Sequence, residues 1–294
     1  MDRVGQMRAF VCVVESGSFS AAARRLGTTQ STISKQVAAL ERALGAALLT
    51  RTTRALTVTE QGGHFLEHAR NALAAFEHAE AALTGRDPLA GCLTITAPPT
   101  LAVSRLMPMI STFLDRHPQV RIRTMFTDAV LDLGKTGIDL AIRVGRLPGQ
   151  DHVLRRIGTA RRVIVATPTL LDRIGRPVTP EDLTRMPCCV YTNSLQGGVW
   201  EFADGRSVTV GGNFASDNPE ALRAAALGGM GLVLSATWLF ESDLASGRLE
   251  AVLSHNPPRD MPIHLVTLGP ASARAACLSD HLYACFAADA LLAP

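Results

Sequence analysis

The stretch from Ser18 to Glu41 constrains this chain more than any other, because it encodes two short helices with almost no chain between them. Ser18 is placed to cap the first, and the run Ala21-Ala22-Ala23 carries it to Leu26. Gly27 supplies the left-handed conformation that stops it. Thr28 or Thr29 then caps a second helix, whose apolar Ile33, Val37, Leu40 and Leu44 fall on one face. The opposite face offers Gln30, Ser31, Ser34, Lys35 and Gln36, uncharged donors and acceptors with one cation. That is the chemistry for reading base edges in a DNA major groove. The pattern is read as a helix-turn-helix; the bland alternative is an antiparallel helix pair with a solvated polar face.

Charge supports the DNA reading through its distribution. The total is only +3, but the first 60 residues hold eight Arg/Lys against four acids, +4, which leaves −1 for the rest. A preceding helix, about Arg3 to Glu15, puts Val4, Met7, Phe10, Val11 and Val14 behind the pair. After it, Leu56-Thr57-Val58 predicts a small hairpin, a wing with Arg51 and Arg54 flanking its tip. Arginines with the hydroxyls of Thr52 and Thr53 suit phosphate oxygens, which position a protein on DNA without reading sequence. A solvated hairpin is the plain alternative. The candidate DNA contacts are Ser20, Arg24, Thr29, Gln30, Ser31, Thr32, Ser34, Lys35, Arg51, Thr52, Thr53 and Arg54.

Thr59 is placed to cap a long helix, Glu60 to Thr84, about 37 Å at 1.5 Å per residue. Along it Phe65, Ala69, Ala72, Phe76, Ala79 and Leu83 alternate steps of four and three, a heptad-type seam. Either the helix packs on its own domain or the seam pairs with a copy of itself; the regularity favours the copy. Gly85-Arg86-Asp87-Pro88 ends it and marks a domain boundary. The chain is thus divided into 1–59, 60–88 and 89–294.

From Gly91 strands and helices alternate: strands over 92–97, 120–126, 140–144, 162–166, 231–235 and 263–268, helices after Pro98-Pro99, at 130–135, 168–174, 220–227 and 272–288. Thr179 and Asp182 form a capping box over Pro180–Leu183, and Asp217 is read as the cap of the helix from Glu220. Such alternation predicts an α/β sheet with strands mostly parallel. Ligands of such sheets sit beyond the carboxyl ends of strands. That places a site at Pro99-Thr100-Leu101, Thr127-Asp128, Gly145-Arg146-Leu147, Asn193-Ser194 and Asp217-Asn218, with Trp200 added as a candidate contact. Thr100 is read as a ligand contact or as the cap of its helix.

Other classes fare poorly. The apolar content of 47% provides for a sizeable core. The most apolar region, 224–240, is broken by Gly228, Gly229 and Gly231 and is short for a membrane span. Met1-Asp2-Arg3-Val4 enters an amphipathic helix directly, so no secretory leader is expected and a cytoplasmic protein is. The six cysteines show no metal spacing, so no metal or cofactor is expected; they read as buried hydrophobes in a reducing compartment or as a redox-sensing pair. The eight histidines lack partner spacing and no nucleophile elbow or phosphate loop occurs, so the chain is not expected to be an enzyme.

These residues resemble the LysR-type transcriptional regulators. The likeness runs through Met7-Arg8-Ala9-Phe10, Ser16 to Ala23, Gln30 to Gln36, Leu40-Glu41, Leu44-Gly45, Leu48 to Arg54 and Leu56 to Gly62. It continues more loosely in Asp139 to Gly145 and in Gly228 to Leu232. It implies an α + α/β chain: a winged helix-turn-helix, a dimerising linker helix, and a two-lobed effector domain like a periplasmic binding protein. Lobe I would take about 89–162 and 267–294, lobe II about 163–266. It further implies a small-molecule effector between the lobes, a homo-oligomer (a dimer of dimers) on an inverted-repeat promoter site in double-stranded DNA, and RNA polymerase as a further partner. The wing and the Ile-Arg-Val-Gly stretch resemble a large subgroup whose effectors, neutral or aromatic, are of no single kind. Pro219 after the cap is a departure compatible with a helix start. Two other readings stay open: a redox-responsive regulator of the same architecture, and a solute-binding receptor that does not act on DNA.

Overall fold

The computed structural model describes residues 2–51, 56–84, 87–129, 131, 133–145, 152–193, 197–268 and 271–294. Asp2 caps helix α1 (Arg3–Ser16) by accepting from the Gly5 N–H at 2.8 Å. Ser18 caps α2 (Phe19–Arg25) by accepting from the Ala21 N–H at 3.1 Å. Gly27, at φ +62°, makes the turn that an L side chain would strain. Of the two threonines, Thr29 is the cap of α3 (Gln30–Leu44), accepting from the Thr32 N–H at 3.2 Å. Ile33, Val37 and Leu40 are buried with Phe10, Ala22, Leu48 and Leu66 in one core; Leu44, the last helical residue, stays exposed. Strands β1 (Leu49–Arg51) and β2 (Leu56–Val58) pair antiparallel as the wing, with Thr50 opposite Thr57.

Thr59 caps α4 (Glu60–Thr84), accepting from the Gly62 N–H at 2.9 Å. A Cβ at Gly62 would lie 2.1 Å from the Leu48 carbonyl oxygen, so only glycine lets this helix start against the wing. Leu66, Ala69 and Leu73 are buried in the core of the N-terminal domain, and the Phe65 ring packs 5.7 Å from Phe10. This corrects the seam: Ala69, with 1% of its surface exposed, is used inside the domain, and Phe65 packs mainly there too. Ala72, Phe76 and Ala79 beyond them are exposed, Phe76 by 41%. The side chain of Leu83 lies outside the described residues.

The rest of the chain alternates as β3 (Gly91–Thr96), α5 (Pro99–Leu101), a π-helical turn (Ala102–Leu106), α6 (Met107–Arg116), β4 (Val120–Thr124), α7 (Leu133–Thr136), β5 (Leu140–Val144) and β6 (His152–Ala160). Then follow β7 (Arg162–Ala166), α8 (Pro168–Ile174), a 3-10 turn (Pro180–Arg185), β8 (Cys188–Tyr191), β9 (Val199–Glu201), β10 (Ser207–Thr209), β11 (Phe214–Ser216), α9 (Pro219–Leu227) and β12 (Leu232–Ala236). A 3-10 turn (Thr237–Leu239), α10 (Glu241–Ala245), β13 (Glu250–Val252), β14 (Met261–Leu268) and α11 (Ala273–Ala288) complete it.

Two five-stranded sheets result, ordered β4-β3-β5-β14-β6 and β11-β8-β12-β7-β13. The expectation of mostly parallel strands is corrected. In each sheet two pairings are parallel and two antiparallel, with β14 reversed against β5 and β6, and β7 reversed against β12 and β13. A chain that leaves one lobe and returns to it must reverse direction, and local sequence does not encode that. The lobe limits shift for the same reason. Because β14 starts at Met261 in the first sheet, the return crossing lies between Val252 and Met261, and residues 261–266 belong to the first lobe. Leu93, Ile95, Leu106, Ile110, Phe113 and Phe286 fill the core of the first lobe, which α6 and α11 cover. Among the described residues, no helix is long and apolar enough to cross a membrane.

Candidate DNA-reading face and interlobe cleft

At the start of α3, Gln30, Ser31, Thr32 and Lys35 are exposed and Ser34 is half-buried; on α2, Ser20 and Arg24 are exposed. The polar groups are ordered before any ligand arrives. Ser20 Oγ donates to Gln30 Oε1 at 3.1 Å, which leaves the Gln30 amide N–H2 for a base acceptor. Thr29 Oγ1 lies 2.9 Å from Ser31 Oγ and 2.8 Å from Thr32 Oγ1. One residue has a role that sequence reasoning missed: Glu41 Oε1 accepts from the Leu48 and Leu49 N–H groups at 2.9 and 3.1 Å, tying the last turns of α3 to the root of the wing. The expected tip contacts Thr52, Thr53 and Arg54 lie outside the described residues, and Arg51 is described only as a strand position.

The carboxyl ends of β3, β4 and β5 face the second lobe, and polar contacts among the described residues link the two. Trp238 Nε1 donates to Thr100 Oγ1 at 3.4 Å, Asn193 Nδ2 donates to the Asp128 carbonyl at 3.1 Å, and Arg105 pairs with Glu241. Thr100 is not a cap: Pro98 holds the cap position and no side chain closes that helix start. Because Pro98 and Pro99 lack N–H groups, the turn offers an anion fewer donors than an ordinary helix start. The π-helical turn that follows is of a kind often found at functional sites. Thr127 accepts from Arg143 Nη1 at 3.1 Å through its carbonyl, and Gly145 is buried at φ +95° with its N–H on the Pro262 carbonyl. Asp217 is exposed yet acts on both Asp128 and Tyr191. Burial raises the Asp128 carboxyl, Arg143 opposes this and Asp217 adds to it. Burial, with Asp128 and Asp217, pushes the Tyr191 phenol up to about 12.

Two expected effector contacts are corrected, and one expected helix cap is reassigned. Leu101 is fully buried in the core of the first lobe. Trp200, with 5% of its surface exposed, is a core residue of the second lobe opposite Val208. Asn218, not Asp217, caps α9, and its side chain is engaged by the Glu220 and Ala221 N–H groups at 2.9 and 3.4 Å. Pro99 is partly exposed, and Leu147 and Ser194 lie outside the described residues. Arg143, Tyr191, Trp238 and His264 were missed. Only Arg143 carried a signal, a cation inside the apolar strand Leu-Ala-Ile-Arg-Val.

Among the described residues no cluster of His, Cys, Asp and Glu could hold a metal. Burial raises the Cys188 thiol to about 12 and also raises those of Cys189, Cys277 and Cys285, away from the reactive thiolate.

Comparison with known proteins decides the class. Residues 4–63 match the family model described as a bacterial regulatory helix-turn-helix protein of the lysR family, and residues 86–285 match the LysR substrate binding domain. The chain belongs to the LysR family. Among its relatives, an HTH-type transcriptional regulator of Xanthomonas campestris pv. campestris is 34% identical over 253 residues, covering 83% of this chain and 74% of that one. The regulator CrgA of Neisseria meningitidis is 30% identical over 252 residues, covering 85% and 84%. The CrgA structure matches with TM-score 0.57 at 29% identity over 96% of each chain. ArgP of Mycobacterium tuberculosis matches in fold with TM-score 0.70 at 22% identity, over 95% of this chain and 96% of that one. This LysR regulator therefore carries a DNA-binding domain and an effector-binding domain, in a family of transcriptional regulators that are not enzymes.

Proposed function

We propose that this LysR regulator binds an inverted-repeat promoter site through the exposed start of α3 and the wing, as a dimer of dimers, and that an effector in the interlobe cleft changes that binding. The observation that carries the DNA half is the exposed, pre-ordered set Ser20–Gln30 and Thr29–Ser31–Thr32. For the cleft at Thr100, Thr127, Gly145, Asn193 and Asp217, the support is that Trp238 and Asn193 of the second lobe bond Thr100 and the Asp128 carbonyl of the first. The exposed Ala72, Phe76 and Ala79 supply the dimer face of α4. The protein works in the cytoplasm, where promoters are, with RNA polymerase as a further partner. A redox reading gains nothing from four thiols held in the protonated form.

Paired substitutions test the division of labour. If Arg51 holds a phosphate, Arg51→Ala weakens binding to all sequences alike and lowers the salt slope by about one unit. Gln30→Ala instead costs roughly 1–3 kcal/mol of discrimination at one base position. Equal loss of specificity from both, in binding titrations across salt, would overturn this reading.

A further inference from the structure

Arg143 is out of place in the strand that carries it. β5 lies between β3 and β14, with Leu140 and Ile142 in the core of the first lobe and Ala141 packed on Leu133, Ile138 and Val266. Only 8% of Arg143 is exposed. A guanidinium withdrawn from water is costly unless its donors are paired. One donor, Nη1, is engaged by the Thr127 carbonyl at 3.1 Å. The other, Nη2, is buried and has no hydrogen-bond partner among the described residues. Asp128 acts on Arg143 electrostatically, but among the described residues no carboxylate stands in ion-pair contact with it.

The unpartnered end sits at the seam of the lobes. The Thr127 carbonyl takes Arg143, and the next carbonyl, Asp128, takes Asn193 of the second lobe. A second unpartnered atom marks the same face of the sheet. His264 is the register partner of Arg143 on β14, so their Cβ atoms are about 5 Å apart. Its ring bonds the Gly145 backbone, burial and Arg156 disfavour its protonation, and its buried Nδ1 has no hydrogen-bond partner among the described residues. Two adjacent strands thus carry, on one face, buried polar atoms that no described residue engages.

We propose that Arg143 is the anchor for an anionic effector, a small molecule whose carboxylate enters the interlobe cleft and takes the open Nη2 donor. An Arg–carboxylate hydrogen bond is among the stronger neutral-pH contacts a buried donor can make. This deepens the cleft reading and rests on it, and it replaces the neutral or aromatic preference implied by resemblance with an acid.

The full-length protein is melted in acetate, lactate, succinate and benzoate, each against its own amide, with sodium chloride balancing ionic strength. At least one acid raises the melting temperature by about 2 °C or more while its amide does not, and Arg143→Met loses the difference. Because losing a buried arginine can unfold the lobe, Asp128→Asn provides an independent arm. It removes a competing carboxylate, so the acid-specific shift grows. No acid exceeding its amide, or an acid shift unchanged or lost in Asp128→Asn, overturns the proposal. Acids and amides stabilising equally, through Asn193, keep the cleft as the effector site and overturn the anion. An acid-specific shift that needs Arg143 but ignores Asn193→Ala keeps the anion and overturns the interlobe reading.

Discussion

Single residues decide most of the chemistry here, and their surroundings reassign several of them. Thr100 was open to two roles, ligand contact or cap. Its hydroxyl instead receives the Trp238 indole N–H from the facing lobe, which makes it a latch at the rim of the cleft. His264 is a neutral group that the fold protects from protonation, through burial and the neighbouring Arg156, with the Gly145 carbonyl opposing both. An unfolded histidine binds its proton near pH 6.5, whereas the folded one resists it. The stability that depends on neutral His264 is therefore complete above pH 6.5 and is lost as pH falls through the lower folded value. Denaturant midpoints should decline from pH 7 to pH 5 in the parent and decline less in His264→Gln. Parallel curves for the two proteins would show that His264 carries no such load.

Elements joined by local chemistry were legible in the sequence, and those joined by long-range pairing were not. α4, β5, β7 and α8 have the limits that periodicity and capping predicted, and the Thr179–Asp182 box closes as read, with Asp182 Oδ2 on the Thr179 N–H at 2.8 Å. The three-residue strands β9, β10, β11 and β13 hold too few positions for alternation to show. In β6, Arg155-Arg156 and Gly158 hide a strand behind charge and a breaker. The seam on α4 misled because helix spacing identifies an apolar face without saying what covers it; its first half meets Phe10 of the same chain. Arg143 was legible as an anomaly and not as a contact, since its open donor exists only once β4 and β14 are in place. The wing rests on a contact of the same non-local kind. Glu41→Ala strands the Leu48 and Leu49 N–H groups and should destabilise the protein by about 1–3 kcal/mol, with Glu41→Gln milder. Chemical denaturation followed by circular dichroism measures this, and an unchanged midpoint in Glu41→Ala would contradict the role.

At the scale of the molecule, α4 packs the N-terminal domain against the first lobe at Arg70 and Gly137. Arg70 of α4 lies 3.5 Å from Glu15 of α1 and is attracted by Asp139, and a Cβ at Gly137 would come within 2.8 Å of its Nη2. Asp139 accepts from the Thr94 N–H at 2.7 Å and immediately precedes β5, whose other end carries Arg143 and Gly145. One strand thus runs from the contact with the DNA-binding domain to the cleft. On the far side α4 leaves Phe76 exposed, where pairing with a second copy would set two α3 helices against one DNA. Selection of bound sequences from a random DNA pool, run with the parent and with Gln30→Ala, tests the whole account most directly. The predicted product is an inverted repeat with half-site centres about one helical turn apart or a multiple of it, relaxed by Gln30→Ala at the same position of both half-sites. An enriched site without two-fold symmetry, or one that Gln30→Ala leaves unchanged, would contradict it.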